Sequence, residues 1–379
     1  MAATREDGDP RLSSRARQVE GSGIRKVFDL GAALQDPVNF SIGQPDFPVP
    51  EPVREAAKRA IDQGWNRYTP TQGIAPLRSK VAEKLAAVNG LDVGPDDVLI
   101  TSGSSGGIFL AFAAVLDPGD EIIIPDPYFV MYTQLAAFFG ARPVLVDTYP
   151  DFQLDPERIK AAIGPRTKAI LLNSPNNPTG AVYPEATLRE VAALAERNGL
   201  LVISDEVYEP FVYDGLHHFS IGSVYPDTVT LNAFSKSHSM TGWRIGYAVG
   251  PATILEKMKE LQQYTFVCAP SFAQVAALTA LAMGPSEEVA GYARRRDLMY
   301  EGLRGHFEVV RPQGAFYIMP RVDDVDATPF ADRALARNVL VIPGSVFSSR
   351  RTHIRLSFAT SEEQIERGLE ILVKLASRA

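Results

Sequence analysis

Between residues 98 and 249, short β-branched runs alternate with Ala- and Leu-rich stretches of helical length, and no other feature constrains the fold as tightly. These runs place strands at 98–101, 121–124, 143–146, 168–173, 201–204, 228–232 and 244–249. Helices are expected between them at 107–115, 128–139, 155–163 and 183–198. Such an alternation predicts an α/β fold with a mainly parallel seven-stranded sheet. Several of the strands are apolar throughout, as a sheet covered by helices on both faces requires.

After residue 250 the pattern changes to long helices, 251–264 and 271–304, and then to an α+β tail. In the tail, strands at 315–319, 339–342 and 353–358 surround a helix at 329–337, and a last helix follows the cap at Thr360. A chain of 379 residues, 45% of them hydrophobic, can build a large domain and a smaller one. The expected division is a disordered polar stretch at 1–10, a segment at 11–47 that packs with the small domain, a large domain at 48–290 and a small domain at 291–379.

The composition narrows the function classes. A formal net charge of -7 opposes nucleic acid as the main partner, because such binding rests on Lys and Arg neutralising phosphates. Cys268 is the only cysteine, which rules out an intrachain disulfide or a cysteine zinc cluster; an isolated buried thiol is expected. The longest apolar run, 108–116, is too short to span a bilayer, and the N-terminus has no apolar signal region, so the expected location is the cytoplasm. The five histidines show no metal-ligand spacing, and His217 and His218 are expected at the surface, so no metal is expected. No Gly-x-Ser-x-Gly elbow suggests a serine hydrolase.

The segment 232–246, NAFSKSHSMTGWRIG, sets Lys236 among small and hydroxyl side chains, with no acidic residue between Asp227 and Glu256. A lysine becomes a covalent catalyst where an amine-poor, desolvated setting lowers its pKa and frees the nitrogen for a carbonyl. Ser235 and Arg244 add a hydroxyl and a planar charged fork suited to a phosphate monoester. The ligand implied is an aldehyde that carries a phosphate, pyridoxal 5'-phosphate. The turn SGSSGG at 102–107 links a strand to a helix, which makes Gly103, Ser104 and Ser105 candidate phosphate donors. Its spacing is neither that of a P-loop nor of a GxGxxG fingerprint. Taken singly, a solvated Lys–Arg loop and a plain tight turn account for these two stretches as well.

Other strand ends carry further candidates. SPNNPTG at 174–180 is a rigid polar turn, in which the Asn177 amide suits a cofactor oxygen or a bound carboxylate. In DEVYE at 205–209, Asp205 is a carboxylate at a buried strand end that requires a cation, such as a protonated pyridine, with Tyr208 beside the ring oxygen. An acidic loop with Asp205 or Glu206 as a helix cap is the alternative. Phe129, in DPYFVMY, either stacks on a ring or belongs to the core. Arg355, among the apolar neighbours of HIRLSFA, requires a carboxylate: a substrate's, or an internal one.

In order and approximate spacing, SIGQPDF, NRYTPTQG, SPNNPTGAVY, SDEVYE, SKSHSMTGWRIGY, GAFY and IRLSFA resemble the class I and II aminotransferases, within the fold-type I pyridoxal-phosphate enzymes. The resemblance runs from about Leu12 to the last helix. It implies that Lys236 holds the cofactor as an aldimine and then acts as base, that Asp205 pairs with the pyridinium, and that Tyr208 and Asn177 serve the ring oxygen. It also implies Phe129 as the stacking aromatic, Arg244 as a phosphate ligand beside Gly103, Ser104, Ser105 and Ser235, and Arg355 as the clamp for the substrate α-carboxylate, with the N–H of Gly43 and the Asn177 amide next to it. Tyr68 would reach the phosphate of a neighbouring subunit, which makes the expected assembly a homodimer. The implied activity moves the amino group of an L-amino acid to a 2-oxo acid, such as 2-oxoglutarate, by a ping-pong mechanism.

Two departures from that family's pattern matter. Ala233 stands where many members place a phosphate-binding serine, and Ser105 stands where some aspartate-specific relatives carry a lysine. No basic residue lies near Gln263 and Tyr264 either, so a neutral or aromatic donor is favoured. The rival readings are a pyridoxal-phosphate C–S lyase on the same fold, a non-catalytic cofactor-binding regulator, and a dinucleotide-binding α/β enzyme.

Overall fold

Two short helices, α1 (Ser14–Arg17) and α2 (Gly23–Gly31), and a two-residue strand, β1 (Val38–Asn39), lead into α3 (Glu51–Asp62) and α4 (Ala75–Lys84). The structure, a computed structural model, describes residues 9, 11–32, 34–286, 288–323 and 325–376; the disorder expected at 1–10 lies outside the described residues, Asp9 apart. Both α3 and α4 carry a proline in the first turn, where its fixed φ suits the helix and its missing N–H costs nothing. The alternating region follows as β2 (Val98–Thr101), α5 (Gly103–Val115), β3 (Glu121–Asp126), α6 (Met131–Phe138), β4 (Arg142–Asp147), α7 (Pro156–Ala162), β5 (Thr167–Asn173), α8 (Glu185–Asn198), β6 (Leu201–Asp205), β7 (Thr228–Ala233), α9 (Phe234–Ser237) and β8 (Gly246–Val249).

These seven strands form one sheet in the order β2-β8-β7-β6-β5-β3-β4. Only β8 runs antiparallel to its neighbours, so β2 and β7 point the same way and their C-terminal ends share an edge. Strands β3, β6, β7 and β8 are buried at every position, as expected for a sheet covered on both faces. Helix α8 covers part of one face with Leu188, Val191, Ala192, Leu194 and Ala195, and each fully buried Leu or Val contributes roughly 1.5–3 kcal/mol. It ends at Gly199 in the left-handed conformation, a common helix stop.

The remaining elements are α10 (Ala252–Thr265), α11 (Ser271–Met283), α12 (Glu288–Leu303), β9 (Tyr317–Ile318), α13 (Thr328–Leu335), β10 (Val339–Leu340), β11 (Ile342–Pro343), β12 (Ile354–Ser357) and α14 (Glu362–Ala376). The single helix expected over 271–304 is interrupted after Met283, because Gly284 turns left-handed and Pro285 offers no N–H to continue the ladder. The strand expected at 339–342 divides in two, since β10 pairs in parallel with β1 while β11 pairs antiparallel with β12. Through the first of these pairings, the chain before residue 48 joins the C-terminal part: Val38 lies opposite Val339, and Asn39 opposite Leu340. The large sheet and this smaller α+β part meet at the 174–180 turn, where the Gly180 carbonyl accepts from the N–H groups of Gln313 (2.9 Å) and Gly314 (2.8 Å). Gly180 has φ +74°, and a Cβ there would stand 2.8 Å from the Tyr317 carbonyl oxygen, so only glycine fits the approach. Among the described residues, no helix is long and apolar enough to cross a membrane.

Candidate active site

The carboxyl edge of the large sheet is where the sequence candidates converge, the position at which open α/β sheets carry ligands. Thr101 of β2 and Ala233 of β7 lie at one level, both opposite Gly246 of β8. Chain leaving β2 therefore enters the Ser102–Gly103 turn beside chain leaving β7 for Lys236. Asn173 ends β5 in register with Asp205 at the end of β6. The Asn173 amide donates to the Asp205 carbonyl (2.9 Å), and its oxygen accepts the Asn177 N–H (2.8 Å), which fixes the polar turn to the neighbouring strand.

A cavity of about 530 Å³ opens at this edge. Its wall includes Gly43, Ser104, Ser105, Phe129, Asn177, Asp205, Tyr208, Ser235, Lys236, Arg244 and Arg355, eleven of the thirteen residues singled out from the sequence. The two others stand apart. Gly103 lies behind the wall, with φ +68°, and a Cβ there would stand 2.6 Å from Arg244 Nη2, so its lack of a side chain admits the guanidinium. Tyr68 is 84% exposed and does not reach this cavity.

Several local expectations are corrected. Arg244 is not part of a strand: it sits at φ +52° before β8, with Nη1 donating to the Thr241 carbonyl (2.9 Å). Helix α5 starts at Gly103 rather than 107, which places Ser104 and Ser105 in its first turn with their N–H groups free of intrahelical partners. Phe129 precedes α6, which opens at Met131, and the Tyr128 N–H before it donates to the Phe347 carbonyl (2.8 Å). Cys268 is half-buried rather than fully buried. Apart from these corrections, the Gly43 carbonyl accepts from Lys236 Nζ.

Electrostatics single out two groups. Burial, reinforced by the nearby Arg355 and Arg244 cations, lowers the Lys236 amine to about 8 against the opposing pull of Asp205. The same burial raises the Asp205 carboxyl to about 6, although the Tyr132 hydroxyl (2.9 Å) and the Val207 N–H (3.4 Å) donate to it. Asp205 therefore has hydrogen bonds but no cation paired with it among the described residues. Arg355 is fully buried between the rings of Tyr317 (4.6 Å) and Phe347 (4.5 Å), and donates through Nη2 to the Ser41 carbonyl (2.6 Å) and through Nη1 to Asn177 Oδ1 (3.1 Å). Its Nε is buried without a partner, so neither an internal salt bridge nor a full set of hydrogen bonds satisfies it.

The structure adds residues that the sequence reading passed over. Tyr132, three residues after Phe129, is buried and oriented onto Asp205. Tyr317, within GAFY, places its hydroxyl 2.8 Å from that of Tyr208 and its ring under Arg355. Ile24, Arg25 and Phe28 of α2 line the mouth of the cavity. His218 is not at the surface as expected: its side chain is 9% exposed, with Nε2 2.9 Å from Glu206 Oε2. It belongs to a polar cluster with Glu209 and Asn89 whose counter-charge is the Lys84 ammonium, bonded to both Glu209 and Asn89.

A lysine with a lowered pKa, a buried carboxylate lacking a paired cation, a hydroxyl-and-arginine cup and a buried arginine thus share one cavity at the carboxyl edge of an α/β sheet. Comparison with known proteins gives the family. Residues 35–372 match the family described as aminotransferase class I and II. The chain is 44% identical to the probable aspartate/prephenate aminotransferase of Thermus aquaticus, over 95% of this chain and 97% of that one. It is 38% identical to the aromatic-amino-acid aminotransferase 2 of Thermococcus litoralis, over 96% of this chain and 98% of that one. The solved structure of the Thermus thermophilus aspartate aminotransferase with maleate superposes with a TM-score of 0.91 at 41% identity, covering 96% of this chain and 99% of that chain. The chain belongs to the class I and II aminotransferase family, and its fold is that of the fold-type I enzymes.

Proposed function

We propose that this aminotransferase uses pyridoxal 5'-phosphate to move the amino group of an L-amino acid, neutral or aromatic by preference, to a 2-oxo acid such as 2-oxoglutarate. The observation that carries the reading is the convergence of Lys236, Asp205, Arg244 and Arg355 on one cavity. The residues fit the cofactor group by group. The α5 N-terminus with Ser104, Ser105 and Ser235 forms a phosphate cup beside Arg244, whose guanidinium the bare Gly103 admits. Asp205, desolvated and without a cation, suits a pyridinium, and Tyr208 and the Asn177 amide suit the ring oxygen. Phe129 offers a ring face in the cavity wall. When bound, the cofactor supplies an aldehyde for the Lys236 amine and an electron-withdrawing ring.

The chain's own residues then have distinct tasks. Arg355 holds the substrate α-carboxylate with the guanidinium donors that Ser41 and Asn177 leave over. Tyr317 fixes the plane of that guanidinium and the hydroxyl of Tyr208. The Lys236 amine, brought to about 8 by burial, is close to the pKa that suits a base accepting the proton from the substrate Cα near neutral pH. Amino donor and 2-oxo acid share the Arg355 clamp and occupy it in turn, hence ping-pong kinetics.

The donor preference is supported by Ser105 in the phosphate turn and by the apolar side chains of Ile24, Phe28, Ile42 and Val130 around the mouth. The relatives described above are named for aspartate, prephenate and aromatic amino acids. We further propose that residues 48–290 form the cofactor domain and that 291–379 form a small domain together with 11–47. In this reading the protein is a cytoplasmic homodimer, in which exposed Tyr68 reaches the neighbouring subunit's phosphate. The visible spectrum of the purified protein, recorded before and after adding a panel of amino acids, tests the core of the proposal. A yellow band that one class of amino acid converts to the pyridoxamine spectrum supports it. Protein that stays colourless after incubation with pyridoxal phosphate overturns it.

A further inference from the structure

Charges on the cavity wall do not balance among the described residues. Arg25, Lys236, Arg244 and Arg355 line it against a single carboxylate, Asp205. Three of the cations have tasks in the function proposed above, on which this inference rests: Arg244 for the phosphate, Lys236 for the aldehyde and Arg355 for the α-carboxylate. Arg25 is left over. It is exposed at the cavity mouth, has no carboxylate partner among the described residues, and its guanidinium carbon lies 5.5 Å from the centre of the Phe28 ring.

Helix α2 holds that side chain in place. At its two ends, a Cβ on Gly23 would stand 2.5 Å from Val346 Cγ2, and one on Gly31 2.5 Å from Leu340 Cδ1, so the bare glycines let the helix lie against the C-terminal part of the chain. Ile24, Arg25 and Phe28 are thereby brought to the cavity wall, Phe28 one turn after the other two. We propose that Arg25 is a specificity-determining residue that receives the second carboxylate of a dicarboxylic substrate, the 2-oxoglutarate class of acceptor above all. Ile24 and Phe28, on the same face, receive neutral and aromatic side chains. One helix thus serves both halves of the exchange, and a basic residue absent from Ser105 and from the neighbourhood of Tyr264 is supplied from the N-terminal segment.

The test is the ratio of kcat/KM for 2-oxoglutarate to that for pyruvate, measured in one preparation so that fold and cofactor content cancel. Arg25→Gln should lower the ratio about fivefold, the upper range for an exposed ion pair, Arg25→Glu should lower it further, and Arg25→Lys should restore part of it. The wild-type ratio should also fall with added salt, and that of Arg25→Gln should not. Maleate binding followed by calorimetry gives a readout without turnover and should weaken in the same order. Ratios within twofold of wild type in both Arg25→Gln and Arg25→Glu overturn the assignment of Arg25. A wild-type protein that transaminates no pair of substrates overturns the function proposed above instead, so the two failures are distinct.

Discussion

Replacing Asp205 with Asn should stabilise the cofactor-free protein, and by an amount that depends on pH. Burial raises this carboxyl from 3.8 to about 6, a shift of about two pKa units, which corresponds to on the order of 3 kcal/mol. The sign follows from proton counts. Between the two values the folded chain keeps a proton that the unfolded chain has released, so wild-type stability is fullest below about pH 4 and declines as pH rises through about 6. An Asn side chain resembles the protonated acid and keeps both local bonds, its Nδ2 donating to the Tyr132 hydroxyl and its Oδ1 accepting the Val207 N–H. In urea titrations of the apoproteins, the variant should match wild type near pH 4 and exceed it by up to about 3 kcal/mol at pH 7.5. Saturating pyridoxal phosphate should reverse the order, because a ligand stabilises the form that binds it better. A variant no more stable than wild type at pH 7.5, or a difference that is flat from pH 4 to 7.5, refutes the claim that Asp205 is an uncompensated buried charge.

Three further outcomes follow from the site. The rate at which the apoprotein couples to pyridoxal phosphate should rise with pH and level off above about 8, since only the unprotonated Lys236 amine attacks; a midpoint at the ordinary lysine value would contradict its desolvation. Tyr132→Phe, which removes the 2.9 Å bond to Asp205, should weaken pyridoxal phosphate binding about tenfold, as a lost hydrogen bond to a charged group predicts, and equilibrium dialysis that finds no change would dismiss Tyr132 as a positioning residue. Arg355→Lys should lower kcat/KM for every amino acid by about a hundredfold while the cofactor spectrum is kept, because a point charge does not reproduce the fork; an effect on only one class of donor would place the clamp elsewhere.

Local pattern made the large sheet legible. Each of its seven strands falls within a residue or two of the β-branched run that announced it, because burial on both faces leaves a continuous apolar signature. Lys236, Asp205 and Asn177 were legible for a related reason: each follows a strand closely enough for the sheet edge to be inferred. Contacts across long separations left no such trace. Lys236 reaches Gly43 over 193 residues and Arg355 reaches Ser41 over 314, so the clamp's surroundings had to be taken from resemblance. Tyr132 and Tyr317 are hidden among other aromatics, where core and site residues read alike. Arg25 sits in a helix with no buried residue, the pattern of a solvated surface, and only the seating of that helix on the C-terminal part brings it to the cavity. The break at Gly284 and the burial of His218 depend in the same way on what packs nearby.

The shifts of Lys236 and Asp205 have one origin and bring the two groups toward each other from opposite ends of the pH scale. Burial penalises both charges, and the arginines on the cavity wall add to the penalty on the lysine while stabilising whatever anion enters. In the function proposed above, the ligand offers an anion to Arg244, a cation to Asp205 and a carbonyl to Lys236. A sulfate or a free carboxylate meets only the first of these, so either should bind weakly and leave the Asp205 titration in place. The pH dependence of stability between about 4 and 6 comes from Asp205, so a ligand that sets a cation beside that carboxylate should remove it, which ties this part of the cofactor to a measurement made on folding rather than on turnover.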